Sequence, residues 1–219
     1  NFADMVLSSD PLAIQVAVAV FSKKFELRQD YTNDKTLVIE AIDDLLTDET
    51  GSNTTNLYGS LMEALILSTQ VQMSLETRMR GGVLTLGEVI LFTDGEDQAA
   101  LKSFEEAKDA VADTTDSVRM VAFGTEVDPE VLEALSTDGA LVSESASELG
   151  ELFEEAAKQV QTRRKALYVL GYCSPKLAGE HDIELEIPGD GDDPAKGISS
   201  KITFSAEGWF DYEGEACSA

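Results

Sequence analysis

The sequence predicts an α/β fold: a doubly wound, mostly parallel sheet with helices on both faces, followed by a small antiparallel β extension. Three observations carry this. Short apolar runs alternate with helix-periodic segments from Ile14 to Gln161, as strands joined by helical crossovers do. The runs Ile14 to Phe21, Val89 to Phe92 and Val118 to Phe123 are nearly unbroken apolar stretches, interrupted by Gln15 and Arg119, as strands covered on both faces are. Beyond residue 163 the helices stop, and Ala166 to Tyr172, His181 to Ile187 and Ile198 to Phe204 follow one another as strands.

Phe2 to Leu7 reads as the last turns of a helix, halted by Ser8-Ser9-Asp10-Pro11. The strand Ile14 to Phe21 is joined through Ser22-Lys23-Lys24 to a short edge strand, Phe25 to Arg28. Asn33 to Leu46 sets Leu37, Val38, Ala41, Ile42, Leu45 and Leu46 at helical spacing, and the polar loop Thr47 to Asn53 ends it. Leu57, Leu61, Leu65 and Ile66 mark the next helix, opened by Thr54-Thr55-Asn56, and Ser74 to Gly82 reads as a connector. The strand Val89 to Phe92 runs into Thr93-Asp94-Gly95, and a helix is expected from about Gln98 to Ala112. Val118 to Phe123 ends at Gly124, Pro129 opens a short helix to Leu135, and Leu141-Val142 is a small strand. Ser147 to Gln161 is a helix with Leu149, Leu152, Phe153, Ala156, Ala157 and Val160 on one side. The expected division is residues 1–163 and 164–219.

The bulk properties narrow the function. At 219 residues with 43% hydrophobic content the chain can bury a substantial core. No span is long and apolar enough for a bilayer. A formal charge of -26 repels nucleic-acid phosphates and anionic membranes and favours cations or basic partners. The run Arg163-Arg164-Lys165 is too short to reverse this. The chain opens Asn1-Phe2-Ala3-Asp4 without an initiator Met or a leader, so any signal segment is expected to have been removed or to lie outside it. Cys173 and Cys217 have neither metal-type nor Cys-x-x-Cys spacing. A disulfide between them is favoured over two unrelated thiols. It would tie down the C-terminal tail by about 3 kcal/mol in the chain-entropy model, and it implies an extracytoplasmic location.

The chemistry concentrates at two loops. Asp94 stands at the carboxyl end of an apolar strand, where open α/β sheets bind ligands. Thr54-Thr55-Asn56 opens a helix about forty residues earlier, so two loops can bring oxygen atoms to one point, and oxygen-only donors suit magnesium. Enzyme signatures are missing: the chain has no Gly-x-Gly-x-x-Gly, Walker loop or Gly-x-Ser-x-Gly elbow. The single histidine, His181, begins a strand of the extension and reads as a surface residue. The acidic loop Pro188 to Pro194 lacks the spaced ligands of a calcium-binding EF-hand and reads as a hairpin turn. Trp209, Phe210 and Tyr212 read as packing rather than as a contact surface.

The pieces IQVAVAVFS, TTNLYGSLMEAL, VILFTDGED, VRMVAFGTEVD and ELGELFEEAAKQV, in that order over roughly residues 1–163, resemble a von Willebrand factor type A domain. The tail YVLGYCSPKLAGEHDIELEI is similar to an extension in bacterial secreted members of that family. The resemblance implies a metal-ion-dependent adhesion site built from three loops: Asp-x-Ser-x-Ser after the first strand, a Thr at the start of a later helix, and an Asp after the fourth strand. Thr55 would be that Thr, with Thr54 as the neighbouring alternative. Asp94 would be that Asp, flanked by Gly95 and Glu96. The implied cation is Mg²⁺, or else Mn²⁺ or Ca²⁺, holding a position open for an Asp or Glu of a protein partner.

The first strand and its Asp-x-Ser-x-Ser loop are missing from this chain. Asp48-Glu49-Thr50-Gly51-Ser52 and Asp113-Thr114-Thr115-Asp116-Ser117 imitate the loop, but neither follows an apolar strand. In the family the first strand lies between the strands that correspond to Ile14 to Phe21 and Val89 to Phe92. Two apolar edges are therefore expected to be unpaired, and a segment N-terminal to Asn1, or a separate chain, is expected to complete the sheet. The function implied is extracellular adhesion through a divalent cation, without catalysis. The alternative is a structural or assembly domain whose site is incomplete and binds no metal, with Thr55 and Asp94 as ordinary helix-cap and turn residues.

Overall fold

A computed structural model describes residues 6–7, 14–45, 47, 54–78, 85–124, 126–143, 145, 147–165, 179–187 and 198–205. The chain forms two compact units, Asn1–Leu167 and Tyr168–Ala219. The predicted strand Ala166 to Tyr172, the loop Pro188 to Pro194, the run Asp48 to Ser52, the cluster Trp209 to Tyr212 and both cysteines lie outside the described residues.

The first unit is the α/β fold the alternating pattern predicts. Its described strands are β1 (Val16–Phe21), β2 (Phe25–Thr32), β3 (Glu88–Thr93), β4 (Ser117–Phe123) and β5 (Ala140–Ser143). Its helices are α1 (Lys35–Leu45), α2 (Leu57–Arg78), α3 (Phe104–Asp113), α4 (Pro129–Ala134) and α5 (Leu149–Lys165). β3, β4 and β5 form a parallel sheet in that order, with Val89 opposite Val118 and Leu91 opposite Met120. β1 and β2 form an antiparallel pair, and among the described residues no ladder joins β1 to β3.

Alternation along β3 shows why helices cover both faces. Val89 and Leu91 belong to a core that includes Leu57, Leu61 and Leu65 of α2 and Ala107 and Val111 of α3. The intervening Phe92 points to the other face, where its ring stacks on Phe153 of α5 at 5.3 Å. β4, the middle strand, is buried from Ser117 through Ala122. A second, smaller cluster joins Leu7 and Val38 with Ile14, Val16, Val18 and Ile39, packing α1 against β1. β2 presents Glu26 and Arg28 at the sheet margin, charges that discourage edge-to-edge pairing.

Three boundaries differ from the sequence reading. β2 continues to Thr32 instead of stopping near Arg28, because a polar strand on a sheet edge satisfies its ladder on one side and needs no apolar pattern. α2 continues through Arg78, into the segment read as a connector, because straight-chain residues such as Gln72, Met73, Leu75 and Glu76 extend a helix without an apolar stripe. α3 starts at Phe104 rather than near Gln98. Ser103 and Glu106 close a capping box there, and Ala100 upstream has φ of 48°, which no helix accommodates.

β4 carries one buried charge. Arg119, 5% exposed, donates from Nη1 to the carbonyl of Asp138 at 2.8 Å, and its Nη2 lies 3.9 Å from the Asp138 carboxylate. That carboxylate also accepts from the Ser117 hydroxyl and from Arg163 of α5 at 2.8 Å, so it links the sheet to the last helix of the unit. The Ser117 hydrogen bond, aided by Arg163 and Arg119, holds the Asp138 carboxyl below its ordinary range. Its contribution to stability is therefore full above the unfolded value of about 3.9 and is lost as pH falls through the lower folded value. Glu88 has the opposite sign: burial pushes its carboxyl up, against Arg119 and Arg163, so at neutral pH its charge opposes folding. Urea midpoints at pH 7 and pH 3 should fall less on acidification for Asp138→Asn than for the parent chain. Glu88→Gln should raise the midpoint at pH 7.

The second unit contributes a described hairpin, β6 (Glu180–Ile187) with β7 (Ile198–Ser205), paired antiparallel with Ile183 opposite Ile202, as the sequence predicts for the extension. His181 lies on it with its ring 5.7 Å from that of Phe204.

Candidate metal centre

The loop after β3 and the loop before α2 meet through their backbones. The Thr55 carbonyl accepts from the Gln98 N–H at 2.8 Å and from the Ala99 N–H at 2.9 Å. One residue on, the Asn56 N–H donates to the Ser22 carbonyl at the end of β1 at 2.7 Å. Thr55 is thus held between the carboxyl ends of two strands, the position that open α/β sheets use for ligands.

Local sequence explains why Asp94 faces outward. The buried Thr93 hydroxyl donates to the Gly95 carbonyl at 2.8 Å and accepts from the Gly95 N–H at 3.2 Å, which curls the chain immediately after the strand. Gly95 sits in the crook of that turn, where a Cβ would lie 3.8 Å from Thr55 Oγ1. Asp94 is exposed on the rim, and its carbonyl lies close to Gly124 in the loop after β4. Gly124 has φ of 109°, so glycine is what allows that loop to turn away beside Asp94.

The structure therefore sets Gly95 beside the Thr55 hydroxyl, with Asp94 the preceding residue on the exposed rim. Neither the Thr55 hydroxyl nor the Asp94 carboxylate hydrogen-bonds to another described residue, so both oxygens are available. Thr54 is the preceding residue, and Glu96 is exposed on the outer side of the same loop. Glu96 and Gln98 face Glu126, Val127, Asp128 and Pro129 across an open cleft rich in carboxylates.

Three neighbours that sequence reasoning did not single out build the scaffold. Asp97 accepts from the Tyr58 N–H at 3.2 Å and from the Ala100 N–H at 2.9 Å, capping the start of α2 while folding its own loop. Asn56, buried, accepts from the Gly59 N–H at 3.2 Å and donates to the Lys23 carbonyl at 3.4 Å. Thr93 shapes the turn. The signal for Asn56 was present in the sequence as a helix-capping residue directly before Leu57. The run Asp113 to Ser117 spans the end of α3 and the start of β4, and in the link between them Thr114 accepts from the Asp116 N–H.

A hydroxyl and a carboxylate fit a hard divalent cation in kind, since such ions take oxygen donors. In number they fall short of the six or more oxygens such an ion requires, and among the described residues no three His, Cys, Asp or Glu side chains cluster as a metal site. Two such donors leave most of an ion's positions to water, other donors or a partner.

An open α/β sheet with oxygen-bearing loops meeting above the carboxyl ends of its strands defines a class of ligand-binding domain. Within that class the chain belongs to the von Willebrand factor type A domain family, which matches residues 2–155. No curated protein sequence matches the chain. Among solved structures it is similar to proximal thread matrix protein 1 from the mussel byssus, with 21% identity and a TM-score of 0.53 over 73% of this chain and 38% of that one. It is also similar to that mussel protein with a zinc-occupied MIDAS motif, with 21% identity and a TM-score of 0.54 over 71% and 40% of the respective chains. A von Willebrand factor type A protein from Catenulispora acidiphila matches with 13% identity and a TM-score of 0.54 over 94% of this chain and 50% of that one. At these identities the likeness is one of fold. The chain spans about two fifths of the length of the mussel protein and half that of the bacterial one.

Proposed function

We propose that this domain is a binding module that attaches to a protein partner through a divalent cation held by Thr55 and Asp94. The observation that carries the reading is that the two side chains stand in loops bonded to one another and that, among the described residues, neither side chain has a hydrogen-bond partner. A cation there would keep coordination positions for an Asp or Glu carboxylate of the partner, and Mg²⁺ suits the donor set. The rim residues Glu96, Glu126 and Asp128 repel a free carboxylate, so attraction at the centre has to come from the ion. The rest of such a partner surface would be neutral or basic. The mussel protein's zinc-occupied motif supports a metal at this place in the fold.

The domain acts by binding and not by catalysis, and its setting is extracytoplasmic, the compartment in which a Cys173–Cys217 bridge would persist. Among the described residues no helix is long and apolar enough to cross a membrane.

Calorimetric titration with MgCl2 and MnCl2, in parallel for the chain and for Thr55→Val, tests the reading. The valine variant keeps the size of the side chain and the backbone bonds of Thr55 while removing one donor, and its affinity should fall about tenfold. Identical isotherms for the two proteins would reject Thr55 as a ligand. An absence of saturable binding in both would favour an assembly role instead.

A further inference from the structure

We propose that Asp94-Gly95 is a self-modification site, at which the chain converts to isoaspartate through a cyclic imide. Asp-Gly is the dipeptide most open to this chemistry, because glycine has no Cβ to shield its backbone nitrogen from the carboxyl carbon of the residue before it. The pair occurs at 94–95, 138–139 and 190–191, the last outside the described residues. The structure sets the first two apart.

Asp138 is pinned through its main chain and its side chain alike. Its N–H donates to the Val118 carbonyl at 3.3 Å, its carbonyl accepts from Arg119 at 2.8 Å, and its carboxylate accepts from the Ser117 hydroxyl and from Arg163 at 2.8 Å. These donors, Ser117 first, hold the carboxyl below its ordinary range, so it stays ionised and resists attack by a nitrogen. Approach of the Gly139 nitrogen would have to break this network.

Asp94 has no such clamp. It is exposed on the rim of its loop, and among the described residues its carboxylate has no hydrogen-bond partner. The Gly95 N–H donates to the Thr93 hydroxyl at 3.2 Å, at the long end of the range for such a bond. Turning the Asp94 side chain onto the Gly95 nitrogen therefore costs one long hydrogen bond instead of an ion-paired network.

In the first step the Gly95 nitrogen bonds to Asp94 Cγ, and a carboxyl oxygen leaves as water, taking the Gly95 amide proton and one proton from solvent. Water then opens the imide at the Asp94 α-carbonyl. The bond from that carbon to the Gly95 nitrogen breaks, the nitrogen regains a proton and solvent takes the other. The water lost is regained, and nothing is oxidised or reduced. The main chain now runs through Cγ and is one carbon longer, with the carboxylate directly on Cα. The Thr93 to Gly95 turn, closed by two hydrogen bonds, loses its shape across the longer link. Where the cation reading of Asp94 holds, the conversion takes the carboxylate out of the centre and limits the working life of the module. The modification itself does not depend on that reading.

The test holds the full chain at neutral pH, well below its unfolding midpoint, and follows the Asp-Gly peptides over time by mass spectrometry with electron-transfer fragmentation, which separates isoaspartate from aspartate. Isoaspartate should accumulate at least about tenfold faster at Asp94 than at Asp138. Gly95→Ala should slow it at Asp94, since the added methyl shields the nitrogen. That variant suits the fold: a Cβ there meets only Thr55 Oγ1, at 3.8 Å, and the φ of Gly95 is not positive. Equal rates at the two sites, faster conversion at Asp138, or an unchanged rate in Gly95→Ala would overturn the proposal. Calorimetry on the aged chain then tests the cation reading separately. Isoaspartate at Asp94 with Mg²⁺ binding undiminished would reject Asp94 as a ligand while leaving the modification site established.

Discussion

Replacing Asp94 by alanine is expected to abolish saturable Mg²⁺ binding, a loss of at least about a hundredfold, while leaving thermal stability within about 0.5 kcal/mol of the parent. The two halves of this expectation come from the same geometry. Asp94 is exposed, and its carboxylate bonds to no described residue, so the fold loses nothing with it. The proposed centre, by contrast, would lose its one carboxylate. Asp97, three residues on, gives the opposite pattern. Its carboxylate satisfies the N–H groups of Tyr58 and Ala100, so Asp97→Ala should cost about 1 to 2 kcal/mol of stability and weaken Mg²⁺ binding only through a looser loop. Calorimetry for the ion and thermal melts for the fold separate the two variants. A stability loss in Asp94→Ala with binding intact would make Asp94 a structural turn residue.

Leu61→Ala is expected to destabilise the first unit by about 3 kcal/mol, seen as a fall of roughly 6 to 12 °C in midpoint. Leu61 is fully buried in α2 among Leu57, Leu65, Val89, Leu91 and Met120, where rigid β3 and β4 limit collapse around the cavity. The same helix carries Thr55 at its amino end. A change at Leu61 that also weakened Mg²⁺ binding well below the unfolding midpoint would show that helix packing sets the position of the centre. An unchanged midpoint would contradict the core described for this unit.

Much of this architecture was written in apolar patterning. Val-Ala-Val-Ala-Val-Phe, Val-Ile-Leu-Phe and Val-Arg-Met-Val-Ala-Phe form strands, though only the last, β4, is buried at nearly every position, and Pro129 and Gly124 punctuate them as their backbones require. What escaped reading depended on contacts distant in sequence. The start of α3 was misplaced because Gln98 and Ala99 give their N–H groups to the Thr55 carbonyl and Ala100 gives its own to the Asp97 carboxylate, and no local propensity reveals that. Arg119 reads as an interruption in an apolar strand until Asp138 and Arg163 are placed beside it. At the candidate centre, the sequence singled out Thr55 and Asp94 by their positions at a helix start and a strand end, and the structure sets Gly95, next to Asp94, beside Thr55. Asn56 was visible as a helix-start residue, whereas the parts that Thr93 and Asp97 play in shaping the loop emerge only in three dimensions.

On a chain this acidic many carboxylates attract divalent ions weakly, so the location of binding is more informative than its existence. Amide NMR of the chain titrated with substoichiometric MnCl2 in about 0.15 M KCl, an ionic strength that screens exposed charges beyond roughly 8 Å, gives that location. The account predicts that paramagnetic broadening begins at Thr55, Asp94 and Gly95 and that it leaves these residues in Asp94→Ala. Broadening that begins instead at Glu126 and Asp128 or along the β6–β7 hairpin, and that Asp94→Ala does not change, would contradict it.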